Sequence, residues 1–202
     1  MIVHMLLEGY LEEPVARKLL EHCGHQAGTV FGKQGFGYIK TKARKFVPLV
    51  KHGYAVLVLT DLMDSGCQCP SQACRQYVWQ HCGEPPPSFL CRFAVRELES
   101  WLLADREAIA SFLRISITKI PDNPEFEPDP KRKVVELARL SPKTRLRDAL
   151  VPSRSHGGAV GPGYRLTMTE FVNKHWSPEQ ATRNSPSLGR CIDRLNDLHS
   201  LP

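Results

Sequence analysis

Three sets of carboxylates in this chain fall directly behind apolar segments. Glu8 follows residues 2–7, Asp61 and Asp64 follow residues 54–60, and Glu97 and Glu99 follow residues 89–95. Side chains of this type at strand ends can hold a hard divalent cation, because Mg²⁺ takes oxygen ligands in octahedral geometry. Near a phosphodiester such an ion activates water and stabilises the developing charge. Taken singly, each acid has a plainer explanation. Aspartate after a strand is a common turn former. Glutamates in a helix's first turn are favoured by the helix dipole. A metal site needs all three sets to meet, which only the fold can arrange.

The elements that would arrange it are readable from periodicity. Residues 2–7 (Ile-Val-His-Met-Leu-Leu) form a short buried strand. A helix follows with Leu11, Val15, Leu19 and Leu20 on one face, Pro14 in its first turn and Gly24 as its stop. Residues 28–31 are a second strand, and 32–37 a glycine-rich loop. Ile39, Ala43, Phe46, Val47 and Val50 predict a helix. Residues 54–60 are continuously apolar, as expected of a central parallel strand covered on both faces. A helix opens at Cys69-Pro70 and runs to about His81; residues 89–95 are a further strand, and 97–104 a helix. Strands alternating with helices predict an α/β fold with a mostly parallel central sheet flanked by helices. In parallel α/β sheets, ligands bind beyond the carboxyl ends of the strands, which is where the acids lie. Residues 1–105 make up this α/β domain. Residues 106–202 form a mainly helical extension, with helix starts at Asp129-Pro130 and Ser141-Pro142 and capping boxes at Thr167–Glu170 and Ser177–Gln180.

The 202-residue chain carries a formal net charge of +6, unevenly spread. Residues 33–51 hold six Lys/Arg and no acid, and residues 131–165 hold nine against Glu136 and Asp148. Such runs are either solvated helix faces or walls that contact phosphates. The second reading selects Lys33, Lys40, Lys42, Arg44, Arg154 and Arg165 as nucleic-acid contacts, with Phe36 available to stack on a base. No apolar run is long enough to span a bilayer and no export signal is visible, so a cytoplasmic location with reduced thiols is expected. Cys67, Cys69, Cys74, His81 and Cys82 invite a zinc reading, but Cys-x-Cys lacks the usual ligand spacing. A Cys23 nucleophile between His22 and His25 lacks an orienting third group.

Glu8-Gly9 after a first strand, Leu59-Thr60-Asp61 after the central one, the segment Phe93-Ala94-Val95-Arg96-Glu97-Leu98-Glu99-Ser100-Trp101-Leu102-Leu103-Ala104-Asp105, and Asn184-Ser185-Pro186-Ser187-Leu188 together resemble a Toprim-like bacterial family of small proteins, related to the Toprim domains of overcoming-lysogenization-defect nucleases and often encoded beside an ATPase. The resemblance spans nearly the whole chain. It implies a Toprim-like fold and a Mg²⁺- or Mn²⁺-dependent nuclease acting on DNA or RNA, in phage defence, with the neighbour-encoded ATPase as partner and a homo-oligomer as an option. It implies Glu8 as metal ligand or general acid/base, Asp61 as metal ligand, and Glu99 as the helix-start glutamate and a further metal ligand, with Trp101 packed beneath it. The pattern's second aspartate would stand at position 63, which is Met63. Either Asp64 takes its place, or the site is degenerate and the chain is an adaptor for the ATPase or nucleic acid.

Overall fold

The computed structural model describes residues 1–50, 52–80, 86–153 and 157–201. They form two compact units: residues 1–95 with 187–202, and residues 96–186.

In the first unit, four strands, β1 (Ile2–Leu7), β2 (Gln26–Gly32), β3 (Ala55–Asp61) and β4 (Phe89–Ala94), make one all-parallel sheet in the order β2-β1-β3-β4. Every residue of β3 is buried, as its unbroken apolar run requires. Side chains alternate between faces along each strand. One face presents Leu6, Val56, Val58, Cys91 and Phe93, covered by Ile39, Ala43, Ala73 and Val78 from the chain after β2 and after β3. The alternate residues Val3, Met5, Leu57 and Leu59 are fully buried on the other face. Each aliphatic side chain so buried contributes about 1.5–3 kcal/mol. The pairing puts Leu7 beside Leu59 and Asp61 beside Ala94. The strands therefore end at nearly one level, and the residues that follow share one rim.

Connections differ from the sequence expectation in four places. The helix expected around residues 39–50 breaks into Phe36–Lys42, a 3₁₀ turn Ala43–Phe46, and Val47–Val50. Pro48 lacks the N–H that a continuous helix needs there. Asp61 is the last residue of β3 and not the one after it. The helix opened by Pro70 continues as a π-helical stretch, Arg75–Trp79, and His81 lies outside the described residues. The helix expected at 97–104 begins at Glu99.

The second unit is helical: Glu99–Ala104, Arg106–Leu113, Pro130–Arg139, Thr144–Leu150, Tyr164–Lys174 and Pro178–Thr182. Trp101, Phe171 and Trp176 are buried at its centre, and Trp176 Nε1 donates to the Trp101 carbonyl at 3.0 Å. Asp105 caps Arg106–Leu113 by accepting from Ala108 N–H at 3.2 Å, and its other oxygen accepts from Ser177 N–H at 2.7 Å. The Ser177 and Asp129 caps form as expected. The Thr167 box does not: Thr167 lies inside Tyr164–Lys174, whose first turn starts three residues earlier. Ser141 likewise forms a turn, accepting from Lys143 N–H at 3.2 Å, and the helix starts at Thr144. No helix among the described residues is long and apolar enough to cross a membrane.

Candidate functional site

Glu8 is fixed by the sheet itself. Its N–H donates to the Leu59 carbonyl at 3.3 Å, and its carbonyl accepts from Gly35 N–H at 3.0 Å. The side chain then turns onto the end of β3. Thr60 Oγ1 and the Asp61 N–H (3.1 Å) both donate to Glu8 Oε2. Gly9 completes the local geometry, because a Cβ there would stand 2.9 Å from Glu12 Oε2 and force that carboxylate aside.

Asp61 opens a single helical turn, Leu62–Ser65, closed by Gly66 at φ 67°. That turn points Met63 outward, 44% exposed, and brings Asp64 near enough to Glu8 to raise its carboxyl. The Asp61 backbone is thus brought to the Glu8 carboxylate, although 53 positions separate the two. Among the described residues, the carboxylates grouped within metal-ligand reach of one another include neither Glu8 nor Asp64. Burial pushes the Glu8 carboxyl up to about 7, and the neighbouring Asp64 adds to the rise. Thr60 and the Asp61 N–H oppose it. A carboxyl poised near neutrality can exchange protons at working pH.

The second unit holds its own carboxylate group. Arg96 precedes it at φ 64°, a left-handed conformation costing about 1 kcal/mol for a non-glycine residue. Glu97 accepts from the Lys131 N–H (3.0 Å) and Nζ (3.1 Å). Glu99 lies 3.8 Å from the same Nζ and accepts from Tyr164 OH at 3.0 Å. Burial raises Glu99 to about 7 despite Lys131, which pulls it down. Burial, then the Glu99 charge, raise the Tyr164 phenol well above its usual range. Asp61 in the first unit and Glu97 and Glu99 in the second are buried carboxylates, donors of the kind that could hold a metal ion.

The six expected nucleic-acid contacts divide. Lys33 is ion-paired to Glu13 and lies 5.4 Å from the Tyr10 ring centre, so internal partners already occupy it. Lys40 and Arg44 are exposed, and Lys42 is half-buried. Arg165 is exposed in the second unit, and Arg154 lies outside the described residues. Phe36 is half-buried and packs edge-on against Tyr77 at 5.2 Å. Among the described residues no cysteine–histidine cluster has metal-ligand geometry. Burial lifts the Cys23 thiol to about 11, which disfavours the thiolate a nucleophile needs.

Sequence reasoning passed over Thr60, Lys131 and Tyr164. Thr60 stood one residue before a selected acid. Lys131 follows the Asp129-Pro130 helix start and so had to lie in a first turn. Tyr164 gave no signal, because its partner is 65 positions away. Comparison with protein-family profiles, curated proteins and solved structures found no match to this chain.

Proposed function

We propose that this chain is a Toprim-like, metal-dependent phosphodiester-cleaving protein whose reactive centre is built on Glu8, Asp61 and Asp64. One observation carries the reading: Glu8 Oε2 accepts from Thr60 Oγ1 and from the Asp61 N–H at the carboxyl ends of adjacent parallel strands, with Asp64 near enough to raise the Glu8 carboxyl further. Carboxylate oxygens are the donors that Mg²⁺ or Mn²⁺ takes. Glu8, Asp61 and Asp64 would hold the ion, and it would supply an activated water and charge neutralisation at the phosphoryl group. Thr60 orients Glu8. Without an ion the Glu8 carboxyl is raised to about 7 and could exchange a proton; as a ligand it would be ionised, so it serves as metal ligand or as general acid/base. Asp64 serves in place of the aspartate that Met63 replaces, because the turn after Asp61 returns it to Glu8. By the same resemblance the protein acts in the bacterial cytoplasm on DNA or RNA, in phage defence, with a neighbour-encoded ATPase.

The experiment is cleavage of labelled single-stranded and duplex DNA and RNA by the whole chain with Mg²⁺, Mn²⁺ or EDTA. Cleavage with either metal, lost by at least 100-fold in Glu8→Gln and Asp61→Asn, is the expected result. Cleavage that survives both substitutions would overturn it. Exposed Met63 favours a second reading, an adaptor with no chemistry of its own. That reading gains if the wild-type chain cleaves nothing yet co-purifies with the neighbour-encoded ATPase.

A further inference from the structure

Away from the carboxylates, the first unit carries three concave hollows that share their walls. The first, about 310 Å³, is lined by Arg75, Arg92, Arg190 and Arg194 together with Trp79 and Phe89. The second, about 480 Å³, shares Arg75 and Trp79 with it and continues over Gln76 and Gln80. The third, about 380 Å³, shares Gln76 and Gln80 and ends at Lys40, Arg44 and Tyr77. No carboxylate among the described residues lines any of the three.

Several features mark this as more than a solvated basic face. Arg92 lines the first hollow, its Nε buried with no hydrogen-bond partner among the described residues. Arg194 is already paired with Asp197 at 2.8 Å, so the first hollow's phosphate contacts fall chiefly to Arg75, Arg92 and Arg190. Aromatic rings alternate with the cations and are held in place. Trp79 packs edge-on against Phe89 at 5.2 Å, and Tyr77 is pinned by its hydroxyl to the Ser65 carbonyl at 2.8 Å. Lys40 Nζ stands 5.0 Å from the Tyr77 ring centre.

We infer that these hollows form one track for a single-stranded polynucleotide, with phosphates on the arginines and a base stacked on Trp79. Interleaved cations and fixed aromatics are how single strands are held without sequence preference, each stacked base and each phosphate adding its own increment. Three hollows in series fit a polymer better than one mononucleotide. A duplex hides the base faces that Trp79 would use. The inference deepens the proposed function by naming its substrate class.

Binding is tested in EDTA, where metal-dependent cleavage is off, so the two ideas fail separately. The full chain is titrated with dT12, U12, a 12-base-pair duplex and dTMP. Tryptophan fluorescence is the direct readout: of three tryptophans, Trp101 and Trp176 are buried, which leaves Trp79 as the reporter. The expected result is quenching by dT12 or U12, and a Trp79→Ala loss of about five-fold or more in affinity for fluorescein-labelled dT12 read by anisotropy. Affinity should fall with salt at a log–log slope of about −3, as for four phosphates on a single strand. Exposed Arg75→Glu and Arg190→Glu should each weaken binding by about ten-fold or more. Arg183→Glu, an exposed arginine of the second unit, should leave it within two-fold. Equal or tighter duplex binding, dTMP competing as well as dT12 at equal nucleotide concentration, or Arg75→Glu and Arg190→Glu matching Arg183→Glu would each overturn the track.

Discussion

The two carboxylate groups of this molecule reach the same electrostatic state by different means. Glu8 in the first unit and Glu99 in the second are both lifted to about 7, in each case chiefly by burial. Around Glu8 the compensating groups are a threonine hydroxyl and a backbone N–H, and a second carboxyl works against them. Around Glu97 and Glu99 the compensating group is Lys131, a cation the chain supplies itself. Hydrogen-bond donors orient a carboxylate without neutralising it, whereas an ammonium group does both. The first arrangement therefore gains most from a cation brought from outside. The second already has one cation of its own against two carboxylates.

The widest test of that contrast is pH. A carboxyl raised in the folded state binds protons there that the unfolded chain has released, so its stabilisation is present below about 4.5 and lost as pH rises through about 7. Each glutamate contributes roughly 3 kcal/mol to that loss, at about 1.4 kcal/mol per pH unit. Urea unfolding of wild type between pH 4 and 8 should show the fall, and Glu8→Gln or Glu99→Gln should each remove a share. Mn²⁺ at pH 7.5 should restore stability to wild type and to Glu99→Gln, by about 2.7 kcal/mol at one hundred times its Kd, and not to Glu8→Gln. An equal Mn²⁺ shift in all three proteins would break the comparison.

Next in size is Lys131→Met. It strands two buried carboxylates beside one another, and its cost should be about 2–3 kcal/mol at pH 8. That is less than for a fully buried pair, because the lysine is itself one-third exposed. Chemical unfolding measures the loss, and adding Glu97→Gln should recover part of it. Thr60→Val removes the hydroxyl that orients Glu8 and should cost about 1–2 kcal/mol while raising the Glu8 proton affinity further. Carbon-13 NMR of the carboxyl follows that rise. Tyr164→Phe should be the mildest, about 1 kcal/mol by thermal melting, since Lys131 still faces Glu99. A Tyr164→Phe loss larger than that of Lys131→Met would mean the phenol, not the ammonium, balances the second group.

Much of the first group could be read before folding, because strand ends are visible as the last residues of apolar runs. Glu8 and Asp61 were legible in that way. Asp64 was legible only as a carboxylate near Met63. Its return to Glu8 depends on one helical turn closed by a left-handed glycine. The second group was half legible: Glu97 and Glu99 stood behind β4, and Asp129-Pro130 marked the helix that carries Lys131. Its pairing with Glu97 spans 34 positions and Tyr164 reaches Glu99 across 65, and neither contact leaves a local pattern. The fold followed the same rule. Fully buried strands announced themselves, while the broken helix around Pro48 and the π-helical stretch before Gln80 depended on tertiary packing.

The tail of the chain, residues 187–202, belongs to the unit that residues 1–95 begin. Leu195 supplies the carbonyl 2.7 Å from His25 Nε2, and His199 Nε2 lies 2.8 Å from the Cys23 carbonyl. A ribosome therefore releases the whole sheet some ninety residues before the piece that finishes it. At about 5–20 residues per second, the half-built sheet waits several seconds with part of its apolar surface uncovered, while residues 96–186 emerge. The nascent protein is most open to aggregation and proteolysis during that interval, well before its last helix arrives.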